Sequence, residues 1–348
     1  MGRVASVLLG LVLGLAGLEA TVRLGTYEHE ADGNYWGRDA FVADPVLGYR
    51  HKPSATATYG RFGQLGPARI TTNALGYRDT RLPDTDGPVT DGQAPPRLLV
   101  VGASFMFGLG IDDDEAIFPV QLERALRARD DMPDDLQVFN VSQTGYLAHE
   151  LSLLALEELD RFAPRMVLLV LRPVSEAARI PEGETVDIVN GYRLASTRDA
   201  QGGWLDELRT RSSAFMHVVR SPLLAPGTYV DEQLLLDIPA LSSWRPEAPE
   251  EARDTAAMQA GRAQVLDEIG ELGRALAEEG IAFRCMVISP PRSRSNWLGR
   301  ALSDAPIAFI EVRSRLEWTR ETDMHWTAEG HRLVAELVAP SIPAAPFR

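Results

Sequence analysis

Three side chains have the types and the spacing that nucleophilic catalysis by a serine requires. Ser104 ends the segment VVGAS, in which an apolar run gives way to a glycine-containing turn. Asp323 and His325 are separated by one residue, so in an extended segment their side chains leave the backbone on the same side. Such a carboxylate can orient the imidazole, and the imidazole can take the proton of a serine hydroxyl. The pattern predicts Ser104 as nucleophile, His325 as general base and Asp323 as the acid that orients it.

The same residues also have simpler interpretations. Ser104 has the side chain of an ordinary helix N-cap, and His325 could be a surface histidine that precedes a helix. Of the six histidines, however, His325 alone has both an acidic residue two positions before it and an aromatic residue, Trp326, directly after it. His331 and His149 fall in predicted helices and are interpreted as structural. The spacing of His325 and His331 does not match a helical pair of metal ligands, so we predict no metal and no cofactor.

A candidate oxyanion hole follows the second predicted strand of the main domain. The segment NVSQTG, 140–145, ends in a glycine, whose backbone N–H can approach a developing negative charge closely. The backbone N–H of Ser104 faces the same space if the turn after the first strand is tight. In the alternative interpretation, Gly145 only begins the next helix.

The elements that must position these residues alternate between strands and helices. RLLVVGAS, 97–104, is a continuous apolar run of the kind found in strands buried on both faces. Further strands are predicted at Gln137–Ser142, Arg165–Leu171, Ile281–Pro291 and Pro306–Val312, and helices at Ala116–Arg129, Ala148–Phe162, Ala252–Glu279 and Ala328–Leu337. This alternation predicts an α/β fold with a central parallel sheet and right-handed crossovers. Reactive groups of such sheets lie at the carboxyl ends of the strands, where Ser104 is found.

The remaining segments predict the domain organisation. Residues 25–96 are rich in glycine, proline and turn-forming residues, which indicates a loop-rich β extension that ends in a linker. Residues 97–348 form the predicted main domain. Within it, residues 177–250 lack the strand–helix alternation and indicate an insertion with one helix near 205–220.

The first residues resemble an export signal. Arg3 precedes an uncharged apolar stretch, Val4–Leu18, which Glu19 and Arg23 close. Residues 1–24 are therefore interpreted as an uncleaved signal-anchor helix in the membrane, with a cleaved signal peptide as the alternative. Both interpretations place the main domain outside the cytoplasm, facing the periplasm or the cell exterior.

Charge and cysteine content exclude some classes of function. The net charge is −14 with a pI near 5.0, and no basic stripe interrupts it, so nucleic acid is excluded as a partner. The single cysteine, Cys285, excludes an intramolecular disulfide and lies in an apolar run, which favours a place in the core.

Together these motifs resemble the SGNH, or GDSL-type, hydrolase family. Its first motif, G-D-S with an aromatic residue and glycines, appears at 102–110 with Ala103 in place of the aspartate. Its second appears as Asn140 with Gly145, and its last appears as DMHW at 323–326. Upstream, the segments DPVLGY and NALGYRD resemble the bacterial membrane-anchored branch of the family.

The resemblance implies a flavodoxin-like three-layer sandwich and a serine esterase or acyl hydrolase of the cell envelope, acting on an O-acyl ester of a polysaccharide or a lipid. It assigns Ser104, His325 and Asp323 to the triad, and the backbone of Ser104 and Gly145 to the oxyanion hole.

The family's third motif, with its asparagine oxyanion donor, is missing after the third strand. The position falls on Val174 or Ser175, which makes Ser175 a candidate donor, and Arg172 lies close by in the sequence. Two alternatives remain open. One is a polysaccharide O-acetyltransferase that uses the same triad, and the other is a non-catalytic, envelope-anchored binding or scaffold protein.

Overall fold

The computed structural model describes most of the predicted main domain and parts of the segments before and within it. The described residues are 2–26, 40–59, 68–82, 95–172, 186–189, 192–195, 256–289, 297–319 and 325–348. The predicted helix at 205–220, the candidate donor Ser175 and the candidate acid Asp323 lie outside them.

The chain divides into two compact units. One unit comprises 1–49, 57–69 and 183–244, and the other comprises 50–56, 70–182 and 245–348. Ser104 and His325 both belong to the second unit. The boundaries predicted at residues 24 and 96, and those of the insertion, stay predictions.

The first unit contains a long helix and short strands. Helix α1 spans Gly2–Thr26, and the following strands are β1 (Phe41–Asp44), β2 (Gly48–His51), β3 (Thr56–Tyr59) and β4 (Ala68–Thr71). Residues 50–51 of β2, 56 of β3 and 70–71 of β4 are assigned to the second unit. Strands β1 and β2 pair, as do β3 and β4. Among the described residues, no helix is long and apolar enough to cross a membrane.

A five-stranded sheet organises the second unit. Its strands are β5 (Arg97–Gly102), β6 (Gln137–Ser142), β7 (Met166–Leu171), β10 (Ala282–Ser289) and β11 (Phe309–Arg313). The spatial order is β6-β5-β7-β10-β11, and the assigned pairs β5–β6, β5–β7, β7–β10 and β10–β11 are all parallel. This is the 2-1-3-4-5 order of flavodoxin-like sheets. The predicted fold class, a three-layer α/β sandwich with a central parallel sheet, is confirmed. Between β7 and β10 in the sequence, β8 (Val186–Val189) and β9 (Tyr192–Ala195) form an antiparallel hairpin of the first unit.

Helices cover both faces of this sheet. They are α2 (Ser104–Phe107), α3 (Phe118–Arg127), α4 (Ala148–Glu157), α5 (Leu159–Phe162), α6 (Ala256–Glu278), α7 (Trp297–Ser303) and α8 (Ala328–Val338). Every residue of β5 and β7 is buried, which explains their continuous apolar sequence. Helices α3 and α8 share one apolar core with alternate residues of β5, β7 and β10. The intervening residues of these strands face the other layer, where α4 and α6 pack together.

The sequence predicts all five strands of the sheet and its longer helices, but it misses some elements and joins two others. Helices α2 and α7 and the β8–β9 hairpin are not among the predicted elements. The segment predicted as a single helix, Ala148–Phe162, is broken at Glu158, whose side chain is fully buried. The hydroxyl of Tyr77 donates to the Glu158 carboxylate over 2.8 Å, and Arg161 donates to it as well. Burial raises the pKa of Tyr77 well above its usual value, and the negative charge of Glu158 raises it further.

Cys285 lies in the core as predicted, and burial raises the pKa of its thiol to about 12.

A tight turn at residues 73–77 has the chemistry that its sequence predicts. The side-chain Oδ1 of Asn73 accepts the backbone N–H groups of Leu75 and Tyr77, and Gly76 has a φ of 84°. A Cβ atom at Gly76 would lie 2.3 Å from the backbone oxygen of His51. Only glycine therefore fits this position, both for its conformation and for its space.

We predict that Gly76→Ala lowers the free energy of unfolding by roughly 2–5 kcal/mol, because it adds a backbone collision to the cost of a left-handed alanine. Gly48 provides the matched control, since it has a φ of 78° but open space where a Cβ atom would lie. Gly48→Ala should cost only about 1–2 kcal/mol. Urea denaturation of both variants measures the difference, and equal losses would contradict the role of the His51 contact.

Candidate active site

Ser104 lies at the carboxyl end of β5, on the turn that begins α2. The turn is tight: a Cβ atom at position 102 would lie only 2.5 Å from the Cγ of Met106, so the turn requires the glycine that is present there. Ala103 is the N-cap of α2 and Ser104 is its first helical residue, so the interpretation of Ser104 as an N-cap is wrong. This placement agrees with a nucleophile at the carboxyl edge of a parallel sheet.

The structure brings Ser104 and His325 together. The Oγ of Ser104 lies 2.8 Å from the Nε2 of His325, although the two residues are 221 positions apart in the chain. His325 is only 7% exposed. At this distance a neutral imidazole with an unprotonated Nε2 accepts the serine hydroxyl proton, which is the arrangement that activates a serine nucleophile.

A buried tryptophan anchors the backbone beside His325. Trp326 is fully buried, and its indole N–H donates to the Oγ of Ser314 over 3.0 Å. Its ring makes an edge contact with Phe105, the residue after Ser104, with centroids 5.0 Å apart. The Phe105 ring also lies 4.6 Å from the His325 ring. Phe105 therefore fills the space between the segment of the serine and the segment of the histidine.

The start of α8 fixes the other side of the histidine segment. Thr327 caps α8 by accepting the N–H of Gly330 over 3.0 Å. A Cβ atom at Gly330 would lie 2.1 Å from the oxygen of Trp318, so the close approach of these segments requires glycine. One turn into α8, the buried His331 accepts the backbone N–H of Phe118 through its Nδ1 over 3.0 Å. His331 is thus structural, as predicted.

Gly145, the candidate oxyanion donor, lines the same cavity as Ser104. The cavity has a volume of about 150 Å³ and is lined mainly by apolar side chains. Gly145 has a φ of 80°, and α4 begins only at Ala148 after an N-cap at Leu147. Gly145 is therefore a left-handed loop residue and does not begin the helix. The assignments of Asp323 and Ser175 stay predictions.

A buried arginine braces the turn that carries Ser104. Arg78 is 1% exposed, and its guanidinium donates to the backbone oxygens of Gly108 and Ile111 over 2.6 Å each. It also donates to the oxygen of Phe107 over 3.2 Å and to the carboxylate of Asp114 over 2.7 Å. These four acceptors belong to the chain that leaves α2, so Arg78 fixes where that short helix ends.

Asn140 connects the same brace to the second strand. Its amide nitrogen donates to the backbone oxygens of Arg78 and Met106, over 2.9 and 3.1 Å. Its own backbone N–H donates to the carboxylate of Asp79 over 3.0 Å. Burial raises the pKa of Asp79, while the charge of Arg81 acts in the opposite direction. Asn140 therefore positions the nucleophile turn and does not face the cavity as a donor.

His51 supports the loop that contains Gly145. Its ring stacks on Phe107 with centroids 4.2 Å apart and planes 7° from parallel. Its Nε2 lies 2.8 Å from the hydroxyl of Thr144 and accepts the Thr144 backbone N–H over 3.3 Å. The backbone N–H of His51 donates to the side-chain oxygen of Gln143 over 2.7 Å. His51 thus contacts both of the segments that line the oxyanion side of the cavity.

The roles of Arg78 and His51 do not follow from the sequence. The run GYRD at 76–79 contributes only to the family resemblance, and no spacing rule connects it to residues 107–114. The one local signal is an arginine close to a turn glycine, which does not reveal the acceptors of its guanidinium.

Comparisons with known proteins leave the family open. No protein-family model matches the chain, and no curated protein matches it. Among solved structures, an α/β hydrolase enzyme from the metagenome of Lake Arreo, Spain, is similar, with a TM-score of 0.27, 15% identity, and coverage of 73% of this chain and 97% of that one. A carbohydrate esterase, whose active site is described as having divergent catalytic and non-catalytic binding functions, is similar with a TM-score of 0.36, 12% identity, and coverage of 88% and 95%. The function proposed below is therefore argued from the geometry of the site.

The brace can be tested through stability. We predict that Arg78→Lys lowers the free energy of unfolding by about 3 kcal/mol or more, because one ammonium cannot satisfy backbone acceptors that the guanidinium fork reaches together. Arg332 is a matched control, since its ion pairs with Glu329 and Glu336 are solvent-exposed and lie on its own helix. Arg332→Lys should change stability by less than about 1 kcal/mol. Equal urea midpoints for the two variants would refute the brace.

Proposed function

We propose that this protein is a serine ester hydrolase of the SGNH type that acts through an acyl-serine intermediate. The observation that carries the proposal is the 2.8 Å contact between the Ser104 hydroxyl and the His325 imidazole at the carboxyl edge of the sheet. A serine that lines a cavity and is paired with a histidine has the nucleophile–base geometry of acyl-transfer enzymes.

The chemistry follows from the positions of these groups. His325 takes the hydroxyl proton on Nε2 as Ser104 attacks the acyl carbon, and the carbonyl oxygen becomes an oxyanion. His325 then returns that proton to the departing alkoxide, which leaves an acyl-serine. A water molecule, deprotonated by His325, attacks the acyl-serine and releases the carboxylic acid and the serine.

Oxyanion stabilisation is assigned to backbone groups at the ends of β5 and β6. The N–H groups of Ser104 and Gly145 are the proposed donors, because both residues line the cavity. Asp323 is proposed to hold the imidazole tautomer, as the sequence spacing predicts.

The order of the elements supports the SGNH type in particular. The nucleophile follows the first strand of a 2-1-3-4-5 sheet, the glycine follows the second strand, and the histidine directly precedes the last helix. The serine comes before the histidine in the chain, as in ordinary members of that family.

The proposed substrate is an O-acyl ester. The cavity beside Ser104 includes Leu147, Leu151, Val265 and Leu298 in its lining, so it suits the hydrocarbon part of an acyl group. With the signal-anchor or signal peptide expected at residues 1–24, cell-envelope polysaccharides and lipids are the proposed carriers of that ester.

We predict that a fluorophosphonate probe labels the wild-type protein and that Ser104→Ala abolishes the labelling, because the probe reacts with serines activated by a base. His325→Gln should reduce both labelling and ester hydrolysis by at least about 10³-fold, because it removes the base. Ser303 is a suitable control, since its hydroxyl donates to the oxygen of Gly299 within α7.

Ser303→Ala should be labelled like the wild type. Absence of labelling of the folded wild type above the level of Ser104→Ala would overturn the catalytic proposal and favour a binding or scaffold role.

We also propose that the reaction takes place outside the cytoplasm. Alkaline phosphatase, which needs an oxidising compartment, should be active when fused after residue 348, and the activity should be lost when residues 2–26 are deleted. An inactive fusion together with an active cytoplasmic reporter at the same position would contradict this localisation.

A further inference from the structure

We propose that the cavity beside Ser104 is a closed acyl-chain pocket, which selects acyl groups of about four to six carbons over acetyl groups and over long fatty acyl chains. This inference rests on the proposed function, because it concerns the substrate of the same site. It adds a chemical class, an ester of a short-chain fatty acid, and it assigns the selection of chain length to Leu298 and Val265.

The exposure of the lining residues shows which end of the cavity is its mouth. Ser104 is half-buried and Gly145 is exposed, so the reactive end opens toward solvent. Three other lining residues belong to the core: Leu151 and Leu298 are each 1% exposed, and Val265 is 3% exposed. The cavity therefore leads from the nucleophile into the packed interior, where it ends against core side chains.

The register of the sheet gives the direction and the depth of the cavity. Gly102 of β5, Val170 of β7 and Met286 of β10 lie in one row across three neighbouring strands. Ser104 and Ile288 each follow this row by two residues, and both line the cavity. Neighbouring strands are about 4.8 Å apart, so the cavity extends roughly 10 Å from the serine, across the end of β7.

Three helices line the inner part of the cavity. Leu151 belongs to α4, Val265 to α6 and Leu298 to α7. Helix α7 packs against α6 and against β11, the strand that lies beyond β10 as seen from β5. Leu298 therefore lies with Ile288 at the end of the cavity that is away from Ser104.

Hydrocarbon is the chemistry that this lining recognises. Apart from Ser104, Tyr146 and Arg172, the described residues of the lining have apolar side chains or none. The guanidinium of Arg172 lies over the ring of Phe105, which directly follows the nucleophile. The residues at the inner end, on α4, α6, α7 and β10, are all aliphatic, so the part of the substrate that reaches them is a hydrocarbon chain.

The volume of the cavity limits the length of that chain. The volume is about 150 Å³, and an engineered apolar cavity of about this size binds benzene. An acyl group whose carbonyl carbon lies at Ser104 therefore fills the cavity when it has about four to six carbons. An acetyl group places a single methyl group in the cavity, whereas a decanoyl chain exceeds its volume.

Hydrolysis of 4-nitrophenyl esters of the even-numbered acids from acetate to decanoate tests this inference. Each methylene group buried in an apolar pocket is worth about a fourfold gain in kcat/KM. We expect the highest kcat/KM for the butanoate or the hexanoate, with the acetate at least about 10-fold lower. The decanoate should also be at least about 10-fold lower, because its chain overpacks the closed end.

Three variants test which side chains set this limit. Leu298→Ala deepens the pocket and should raise the ratio of kcat/KM for octanoate to that for hexanoate by at least about 10-fold. Val265→Leu adds a methylene group to the lining and should lower the ratio of hexanoate to butanoate by at least about 3-fold. Leu302→Ala is the matched control, since Leu302 is a leucine of α7 that is also 1% exposed, and it should leave both ratios unchanged.

The outcomes that contradict the inference are specific. A maximum at acetate, or a kcat/KM that is flat from acetate to decanoate, would overturn it. Ratios that neither Leu298→Ala nor Val265→Leu changes beyond the effect of Leu302→Ala would also overturn it. Val265→Leu is the milder change to the core, so it decides the test if Leu298→Ala does not fold.

A binding measurement separates this inference from the proposed function. In calorimetry, Ser104→Ala should bind ethyl hexanoate at least about 10-fold more tightly than ethyl acetate, and Ser104→Ala/Val265→Leu should lower that preference by at least about 3-fold. If the wild type hydrolyses no ester and takes no fluorophosphonate while this preference persists, the proposed function fails and the pocket stands. If the wild type hydrolyses esters without selecting chain length and Ser104→Ala binds both esters equally, the pocket fails and the proposed function stands.

Discussion

The hydrogen bond between Ser104 and His325 is the contact on which the functional interpretation depends, and it imposes strict demands on the fold. The two residues are 221 positions apart in the chain, and the Oγ of Ser104 lies 2.8 Å from the Nε2 of His325. Small displacements of either segment would therefore break the bond. The serine is placed by the end of a fully buried strand and a turn that only Gly102 fits. The histidine is placed by the buried Trp326 next to it. Catalysis would therefore be sensitive to packing well outside the two side chains.

The residues before the central sheet are part of this positioning. Arg78 satisfies four acceptors on the chain that leaves α2, and His51 contacts the loop of Gly145. Both arrive from the segment that the sequence indicates only as a loop-rich extension. The close approach of Gly76 to the oxygen of His51 ties these two supports to each other. The oxyanion side and the nucleophile side of the cavity are thus held by one continuous network.

Local patterns predict the elements, and non-local contacts explain what those patterns miss. Short apolar segments identify the five strands, and the turn at Asn73 and Gly76 is evident from residue types, because these signals depend on neighbours in sequence. The pairing of Ser104 with His325 is predicted from residue types, because the serine follows a buried strand and the histidine has an acidic residue two positions before it. The acceptors of Arg78 and the break of the helix at Glu158 depend on buried side-chain partners far away in sequence, such as Tyr77. No periodicity encodes such partners.

Phe105 contacts side chains on both sides of the nucleophile. Its ring lies 4.6 Å from the His325 ring and 4.9 Å from the Arg172 guanidinium carbon, and its backbone directly follows the nucleophile. One rigid side chain therefore sets both the place of the base and the place of the cation relative to Ser104. Because the Phe105 ring is buried and packs against Trp326, it is a fixed support for these contacts.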